Sequence, residues 1–192
     1  MGPYDEHVSD AVLLEECFKN NRQAQNKLYK KYAPKLFGTC LRYAKSNTDA
    51  EDILQEGFIK IFKYLKDFRN EGYLEGWMRK IMVTTALNFY KKKNLLNKNI
   101  DLENVHVASI AEPDAVSRMS NKELLSLVQK LPDGYRMVFN LYSIEGYSHK
   151  KIGEMLDISI NTSKSQLARA RISLQHKLYN LSEHERISQM VG

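Results

Sequence analysis

Gly146-Tyr147-Ser148-His149-Lys150-Lys151-Ile152-Gly153-Glu154-Met155-Leu156-Asp157-Ile158-Ser159-Ile160-Asn161-Thr162-Ser163-Lys164-Ser165-Gln166-Leu167-Ala168-Arg169-Ala170-Arg171 is the stretch whose reading settles the fold class. Ser148 suits a helix N-cap, and the inward positions that follow are Ile152, Met155 and Leu156. Asp157-Ile158-Ser159 makes a short turn. A second helix opens near Ile160 and turns Ser163, Leu167, Ala170, Leu174 and Leu178 inward. Two helices joined by such a turn predict a helix-turn-helix. The outward positions of the second helix are Asn161, Thr162, Ser165, Ala168, Arg169 and Ile172, with Lys164 and Gln166 on the flanks. Hydrogen-bonding and cationic groups gather in its first turns, where a recognition helix meets base edges in the major groove. An ordinary helical hairpin has the same periodicity, but the acid-free outer face favours DNA.

Working outward, the rest of the chain also carries long 3.6-residue patterns, with only 4 prolines and 9 glycines in 192 residues. The fold class is all-α. Upstream of the quoted stretch, Leu124, Leu125, Val128 and Leu131 form a stripe that begins near Asn121. Leu131-Pro132-Asp133-Gly134 is expected to end that helix, and Val138, Phe139, Leu141 and Tyr142 mark the next. From Asn99 to Ser117 the periodicity is poor, with four acidic residues (Asp101, Glu103, Glu112, Asp114) and no Lys or Arg. That composition reads as a flexible acidic linker. The expected layout is therefore a helical domain at 10–97, a linker at 98–120, a second helical domain at 121–180 and a fraying tail at 181–192.

Within the first domain, a helical block runs from about Asp10 to Lys45, broken at Lys19-Asn20-Asn21, with Pro34 placed to kink its second part. Thr48-Asp49-Ala50-Glu51 has capping-box spacing, and Leu54, Phe58, Ile61 and Leu65 give a core stripe behind it. After Asn70-Glu71-Gly72 a further helix carries Trp77, Ile81, Ala86 and Phe89 toward Lys91-Lys92-Lys93.

The net charge is +6 and the pI near 9.1. Its distribution says more than its size. Gly76 to Ile100 holds six basic residues (Arg79, Lys80, Lys91, Lys92, Lys93, Lys98) and no acidic one. Ser159 to Asn180 holds four (Lys164, Arg169, Arg171, Lys177), again without an acid. Two acid-free helices flanking an acidic linker suggest two nucleic-acid contacts, although solvated basic faces look the same on charge alone. No apolar run approaches the ~18 residues of a membrane span, and the N-terminus has no secretory signal. Cys17 and Cys40 lie in apolar stretches and read as buried thiols in a reducing cytoplasm, not as a disulfide framework.

Three motifs resemble those of a known family. Asp49-Ala50-Glu51-Asp52-Ile53-Leu54-Gln55-Glu56-Gly57-Phe58 resembles the helix with which sigma factors grip RNA polymerase. Trp77-Met78-Arg79-Lys80-Ile81 followed by Asn88-Phe89 resembles their promoter-melting helix. Leu131-Pro132, Tyr135-Arg136-Met137-Val138-Phe139, Gly146-Tyr147-Ser148 and Thr162 to Arg171 resemble their C-terminal promoter-binding domain. The short two-domain layout is similar to the extracytoplasmic-function branch of the sigma-70 family, across about Ala11 to Leu178.

The resemblance implies an alternative sigma factor. Asp49, Asp52, Gln55 and Glu56 would dock on the clamp coiled coil of the largest polymerase subunit. Asp49, Asp52 and Glu56 are spaced three and four apart and share a face, which equally describes a solvated acidic stripe. Phe68, Trp77, Arg79, Lys80, Thr84 and Asn88 would contact the −10 element, aromatic and amide groups holding an unstacked base and cations holding phosphates. Phe68 and Trp77 also suit plain core packing, and Thr84 stands where many relatives carry Asn. Lys164, Ser165, Gln166 and Arg169 would read −35 bases, with Thr162 and Arg171 on phosphates. Ile160-Asn161 replaces the family's acidic-glycine pair, and Gly153 replaces a usual Ala, which is expected to weaken its helix slightly. Implied partners are the polymerase core, including the flap of the second-largest subunit, promoter DNA, and an anti-sigma protein or other regulator. A cytoplasmic monomer, nucleoid-associated when bound to polymerase and without membrane insertion, follows from the same resemblance. The acidic linker would occupy the basic active-centre cleft and RNA exit channel until RNA displaces it.

No catalytic constellation accompanies these motifs. There is no Gly-rich phosphate loop, the five histidines lack metal-ligand spacing, and no Cys pair forms a CxxC site. The expectation is a non-enzyme with no cofactor and no metal. A stand-alone helix-turn-helix regulator would explain Ser148 to Leu178 but not the two upstream motifs, and would usually dimerise on palindromic sites. An adaptor whose charged helices bind only proteins is the other alternative.

Overall fold

A computed structural model describes the backbone of residues 9–68, 72–96 and 120–191, and side chains over 9–68, 72–93 and 120–181. The described residues form eight α-helices, a short 3-10 turn and one π-turn, with no strand among them. The chain separates into two compact units, Met1–Tyr90 and Lys91–Gly192. The acidic stretch Asn99 to Ser117, with Asp101, Glu103, Glu112 and Asp114, lies outside the described residues.

In the first unit, α1 (Asp10–Phe18) stops where Asn20 takes a left-handed conformation, φ 60°. α2 (Arg22–Tyr43) then starts on an Asn21 cap whose Oδ1 accepts from Gln23 N and Ala24 N at 2.9 and 3.3 Å. α2 runs unbroken through Pro34. Asp10 ties α1 to α2, accepting from Lys31 Nζ at 2.7 Å and from the Tyr32 hydroxyl at 2.6 Å. Burial works to raise the Asp10 carboxyl, but these two donors outweigh it and hold it below its ordinary value.

The cap of α3 (Asn47–Tyr64) falls two residues before the expected Thr48. Ser46 is the extended residue, and its hydroxyl accepts from Asp49 N at 3.1 Å, so Thr48 already lies inside the helix. The expected core stripe is present: Leu54, Phe58 and Ile61 are buried, and Leu65 is buried in the following 3-10 turn. In α4 (Leu74–Leu96) the buried face is rotated from the expected one. Leu74, Met78, Met82, Val83, Ala86 and Leu87 face the core, while Trp77, Ile81 and Phe89 sit half-buried on its shoulder. The methionines fill gaps that branched side chains would not. Met82 reaches the Cys40 sulfur at 3.9 Å and covers Gly57 of α3. Both cysteines are buried free thiols, and burial pushes the Cys40 thiol up to about 12, which makes it inert.

Gly57 is the contact that sets the α3–α4 spacing. A Cβ there would overlap Met82 Sδ and Cε, and Met82 is itself fully buried. Gly57→Val is therefore expected to destabilise the chain by about 2 kcal/mol through overpacking. Adding Met82→Ala should recover part of that loss, a coupling that thermal unfolding of the full chain measures directly.

In the second unit, α5 (Asn121–Gln129) opens on a complete capping box between Ser120 and Glu123, and packs on α8 with the others. It ends at Lys130, before the expected stop. Pro132 is extended, and Asp133 and Gly134 begin α6 (Asp133–Phe139) instead of closing α5. A proline carbonyl accepts as well as any other, so Pro132 O takes the first amide of the new helix, from Arg136, at 2.9 Å. A π-turn, Asn140–Ile144, leads to α7 (His149–Leu156) and α8 (Ile160–Val191). α8 continues past the expected end at 180, since nothing between Ile160 and Val191 is Pro or Gly.

Arg136 is 2% exposed, an unusual place for a cation. Its guanidinium donates to Leu131 O at 3.0 Å, Gln129 O at 3.3 Å and Asp133 Oδ1 at 2.7 Å. It thereby satisfies the carbonyls left open where α5 ends and fixes the α5–α6 corner. Arg136→Ala removes these three hydrogen bonds from the corner and breaks the pair with Asp133, and should cost about 3 kcal/mol. Denaturant melts of the full chain check this, and an unchanged midpoint would contradict it.

Candidate nucleic-acid interface

Ser148 caps α7 as expected, its hydroxyl accepting from Lys151 N at 3.3 Å. Asp157 ends α7 in the left-handed conformation, φ 59° and ψ 48°. Ser159 then opens α8: its hydroxyl accepts from Thr162 N at 2.9 Å and shares a hydrogen bond with Thr162 Oγ1 at 2.8 Å. The turn is tight enough to bring Ile158 O within 2.8 Å of where a Gly153 Cβ would sit. Gly153 therefore does more than weaken α7: the close approach of the turn backbone requires it in this geometry.

α8 presents the expected outer face. Asn161, Ser165, Ala168 and Arg169 are exposed, and Ser163, Leu167 and Ala170 are buried behind them. Leu174 is half-buried, as are Leu178, Met155 and Leu156. Ser165 Oγ donates to Thr162 O at 3.0 Å, which leaves its lone pairs facing out. Arg169 is steadied by Tyr135 of α6, to whose hydroxyl it donates at 3.4 Å. Lys164 and Arg171 are exposed on one flank. Gln166, on the other flank, is turned inward. Its Nε2 lies 3.0 Å from where a Gly134 Cβ would stand, and its Oε1 is buried without a partner. The structure thus brings Thr162, Lys164, Ser165, Arg169 and Arg171 to the solvent side and places Gln166 against α6.

α4 carries the second group. At ~100° per residue, Trp77, Lys80, Thr84, Asn88 and Lys91 share one side of the helix, and Arg79 falls on the far side. Lys80, Thr84, Asn88 and Lys91 are exposed, while Arg79 is half-buried. Phe68 packs on Trp77, ring centroids 5.5 Å apart and tilted 48°, so the pair forms an aromatic shoulder at the head of the row. Tyr73, beside it, is 92% exposed. Thr84 donates to the backbone oxygens of Lys80 and Ile81, both at 3.0 Å. Sequence reasoning passed over Tyr73, which no apolar period marks.

On α3, Asp52, Gln55 and Glu56 are exposed along one face and Asp49 is half-buried at its start. Glu56 pairs with Lys60 at 2.7 Å, and Lys60 reaches Thr85 Oγ1 of α4 at 3.3 Å. Ile59 continues the same face and is 68% exposed. Sequence reasoning missed it, although its position seven residues after Asp52 could have found it. A single exposed aliphatic side chain is ordinary on a protein surface, but its place in the acidic row makes it a candidate for the same contact. Among the described residues no His, Cys, Asp or Glu cluster could hold a metal ion, and no helix is long and apolar enough to cross a membrane.

The profile of Sigma-70 region 2 matches residues 28–95, covering α3 and α4, and that of Sigma-70, region 4 matches residues 121–174, covering the helix-turn-helix. The chain belongs to the sigma-70 family. It is similar to the ECF RNA polymerase sigma-E factor of Escherichia coli K12, 28% identical over 187 residues that cover 92% of this chain and 97% of that protein. The sigma-E factor of Haemophilus influenzae is 28% identical over 92% of this chain and 98% of its own length. Among solved structures, CnrH in complex with the cytosolic domain of CnrY covers 88% of this chain and 96% of its own, at 21% identity and TM-score 0.46. The sigma factor RpoE in complex with the anti-sigma factor NepR from Bartonella quintana covers 79% and 94%, at 20% identity and TM-score 0.48. The protein is an alternative sigma factor of the extracytoplasmic-function type, and it directs promoter-specific initiation of transcription. Sigma factors are not enzymes; the chemistry of RNA synthesis belongs to the polymerase they serve.

Proposed function

We propose the following division of labour within this sigma factor. Residues 10–97 bind the polymerase core and melt the −10 region, 98–120 form the linker, 121–180 read the −35 element and 181–192 are a tail. Asp49, Asp52, Gln55 and Glu56 dock on the clamp coiled coil of the largest subunit. Phe68 together with Trp77, Lys80, Thr84 and Asn88 handles the −10 strand, and Arg79 contributes its charge from the other side of α4. Lys164, Ser165 and Arg169 read −35 bases, Gln166 joins them by swinging out from its place beside Gly134, and Thr162 and Arg171 hold phosphates. The acidic linker enters the polymerase cleft, and the second domain also touches the flap of the second-largest subunit. The sigma factor acts as a monomer in the cytoplasm and at the nucleoid, under an anti-sigma protein or similar regulator, as family membership implies.

The observation that supports this best is the outer face of α8: Asn161, Ser165 and Arg169 exposed in its opening turns, with Lys164 and Arg171 beside them and no acid between Ser159 and Asn180. Such a face meets base edges and phosphates together. Footprinting of the holoenzyme on a responsive promoter tests it. Protection at both −35 and −10, the latter with permanganate-reactive thymines, is expected. Protection at a palindrome without polymerase would favour the stand-alone regulator.

A further inference from the structure

Inside the helix-turn-helix the sequence carries an uncommon polar pair. Ser163, on the inward face of α8, is completely buried, at a position where the stripe Leu167, Ala170 and Leu174 is otherwise apolar. Its hydroxyl lies 2.9 Å from His149 Nδ1, in the first turn of α7. The His149 ring is in turn stacked on Tyr142, centroids 4.5 Å apart and 21° from parallel. Tyr142 belongs to the π-turn, and the Arg171 guanidinium of α8 lies 5.9 Å from the centre of its ring. Four residues from three elements thus form one chain of contacts from the interior of α8 back to its own flank.

We propose that His149 is a positioning residue for −35 recognition: its hydrogen bond to Ser163 and its stack on Tyr142 fix the rotation and depth of α8, and so aim Ser165 and Arg169 at the bases. The inference rests on the reading of α8 as the −35 helix. The physical reason is the placement of the link. The bond between the buried hydroxyl and His149 forms in only one register of α8 against α7, because sliding or turning the helix gives up that link and leaves the hydroxyl only the carbonyls of its own helix. Ser163 is two residues from Ser165 and six from Arg169, so the register it fixes is the register of the outer face. The stack contributes the second constraint. Tyr142 sits on a π-turn, which bulges the chain outward and carries its ring to both His149 and Arg171. Arg171 is thereby held by an aromatic face, at the edge where it would meet a phosphate.

The test uses the full chain assembled with bacterial core polymerase. The probes are a promoter duplex mapped for this sigma factor and the same duplex with its −35 element scrambled. The readout is the ratio of the two affinities, which a general loss of folded protein does not move. His149→Phe keeps the stack and removes the hydrogen bond; Ser163→Ala removes the same bond with the smallest change to the core. Each is expected to lower the ratio about tenfold, the double variant no further than either alone, and His149→Asn, which keeps a hydrogen-bonding group near Nδ1 but gives up the stack, to lose less than His149→Phe. An unchanged ratio in Ser163→Ala, or losses that multiply in the double variant, would overturn the proposal. Arg169→Glu in the same assay separates the two levels. If it leaves the ratio unchanged, the assignment of α8 to the −35 element fails; if it lowers the ratio while His149 and Ser163 do not, only the positioning role fails.

Discussion

Reversing two charges on α3, as Asp52→Lys with Glu56→Lys, is expected to weaken binding to core polymerase by about 100-fold or more, because like charges set against each other at an interface cost several kcal/mol. Both residues are exposed, so the cause is the lost contact and not a damaged fold. Glu56 does pair with Lys60, and the double reversal lines up three lysines at successive steps of four, but each such pair costs only a few tenths of a kcal/mol. Thermal unfolding should therefore barely change. Gln55→Ala is expected to act in the same direction and more weakly, since it removes a neutral hydrogen bond. Ile59→Ala should add a loss of about tenfold, in keeping with an exposed aliphatic side chain that becomes buried on docking. Fluorescence titration of labelled sigma factor with core enzyme reads all three variants. Affinity for a −35 duplex is expected to stay the same throughout. If the double reversal bound core as tightly as the natural chain, the assignment of α3 to the polymerase would be wrong.

The second large effect is expected at Arg169. Arg169→Glu removes a cation from the outer face of α8 and sets a carboxylate against DNA, so transcription from a −35-dependent promoter should fall about 100-fold. The natural side chain is pre-positioned by Tyr135, which lowers the cost of ordering it on the bases. Tyr135→Phe is accordingly expected to produce a smaller loss of the same kind, about threefold, at unchanged core affinity. The salt dependence of promoter binding should become shallower in Arg169→Glu, since fewer counterions are released. Core binding is expected to be untouched, the reverse of the α3 variants. Should both sets of substitutions impair the same step, the division of labour between the two domains would not hold.

The helix-turn-helix was legible in the sequence because every local signal agreed. Ser148 capped α7, Asp157 closed it, and the inward stripe of α8 kept one period from Ser163 to Leu178. The start of α3 was read two residues late because Ser46 and Thr48 are both good caps, and only the backbone of Ser46 decides between them. The end of α5 was misplaced for a similar reason. Pro-Asp-Gly reads as a stop, yet Pro followed by an acid also suits the first turn of a new helix. α4 was read with its core stripe turned, since Trp77, Ile81 and Phe89 outrank Met78 and Met82 in bulk but not in burial. Arg136 shows a general blind spot. A lone arginine in an apolar run reads as exposed, and only the tertiary arrangement reveals the carbonyls it satisfies. At the site, the polar row on α8 was evident, but the inward turn of Gln166 depends on the bare backbone of Gly134, which no periodicity records. Ile59 was within reach, since it shares the spacing of the acids beside it.

Run-off transcription on fragmented genomic DNA from the source organism, with bacterial core polymerase in the presence and absence of this sigma factor, tests the central claim most directly. Discrete new start sites are expected, whose aligned upstream sequences share one element near −35 and another near −10. Specific binding to DNA fragments by the folded protein, with no new start sites, would contradict the account and leave a helix-turn-helix regulator that works without polymerase.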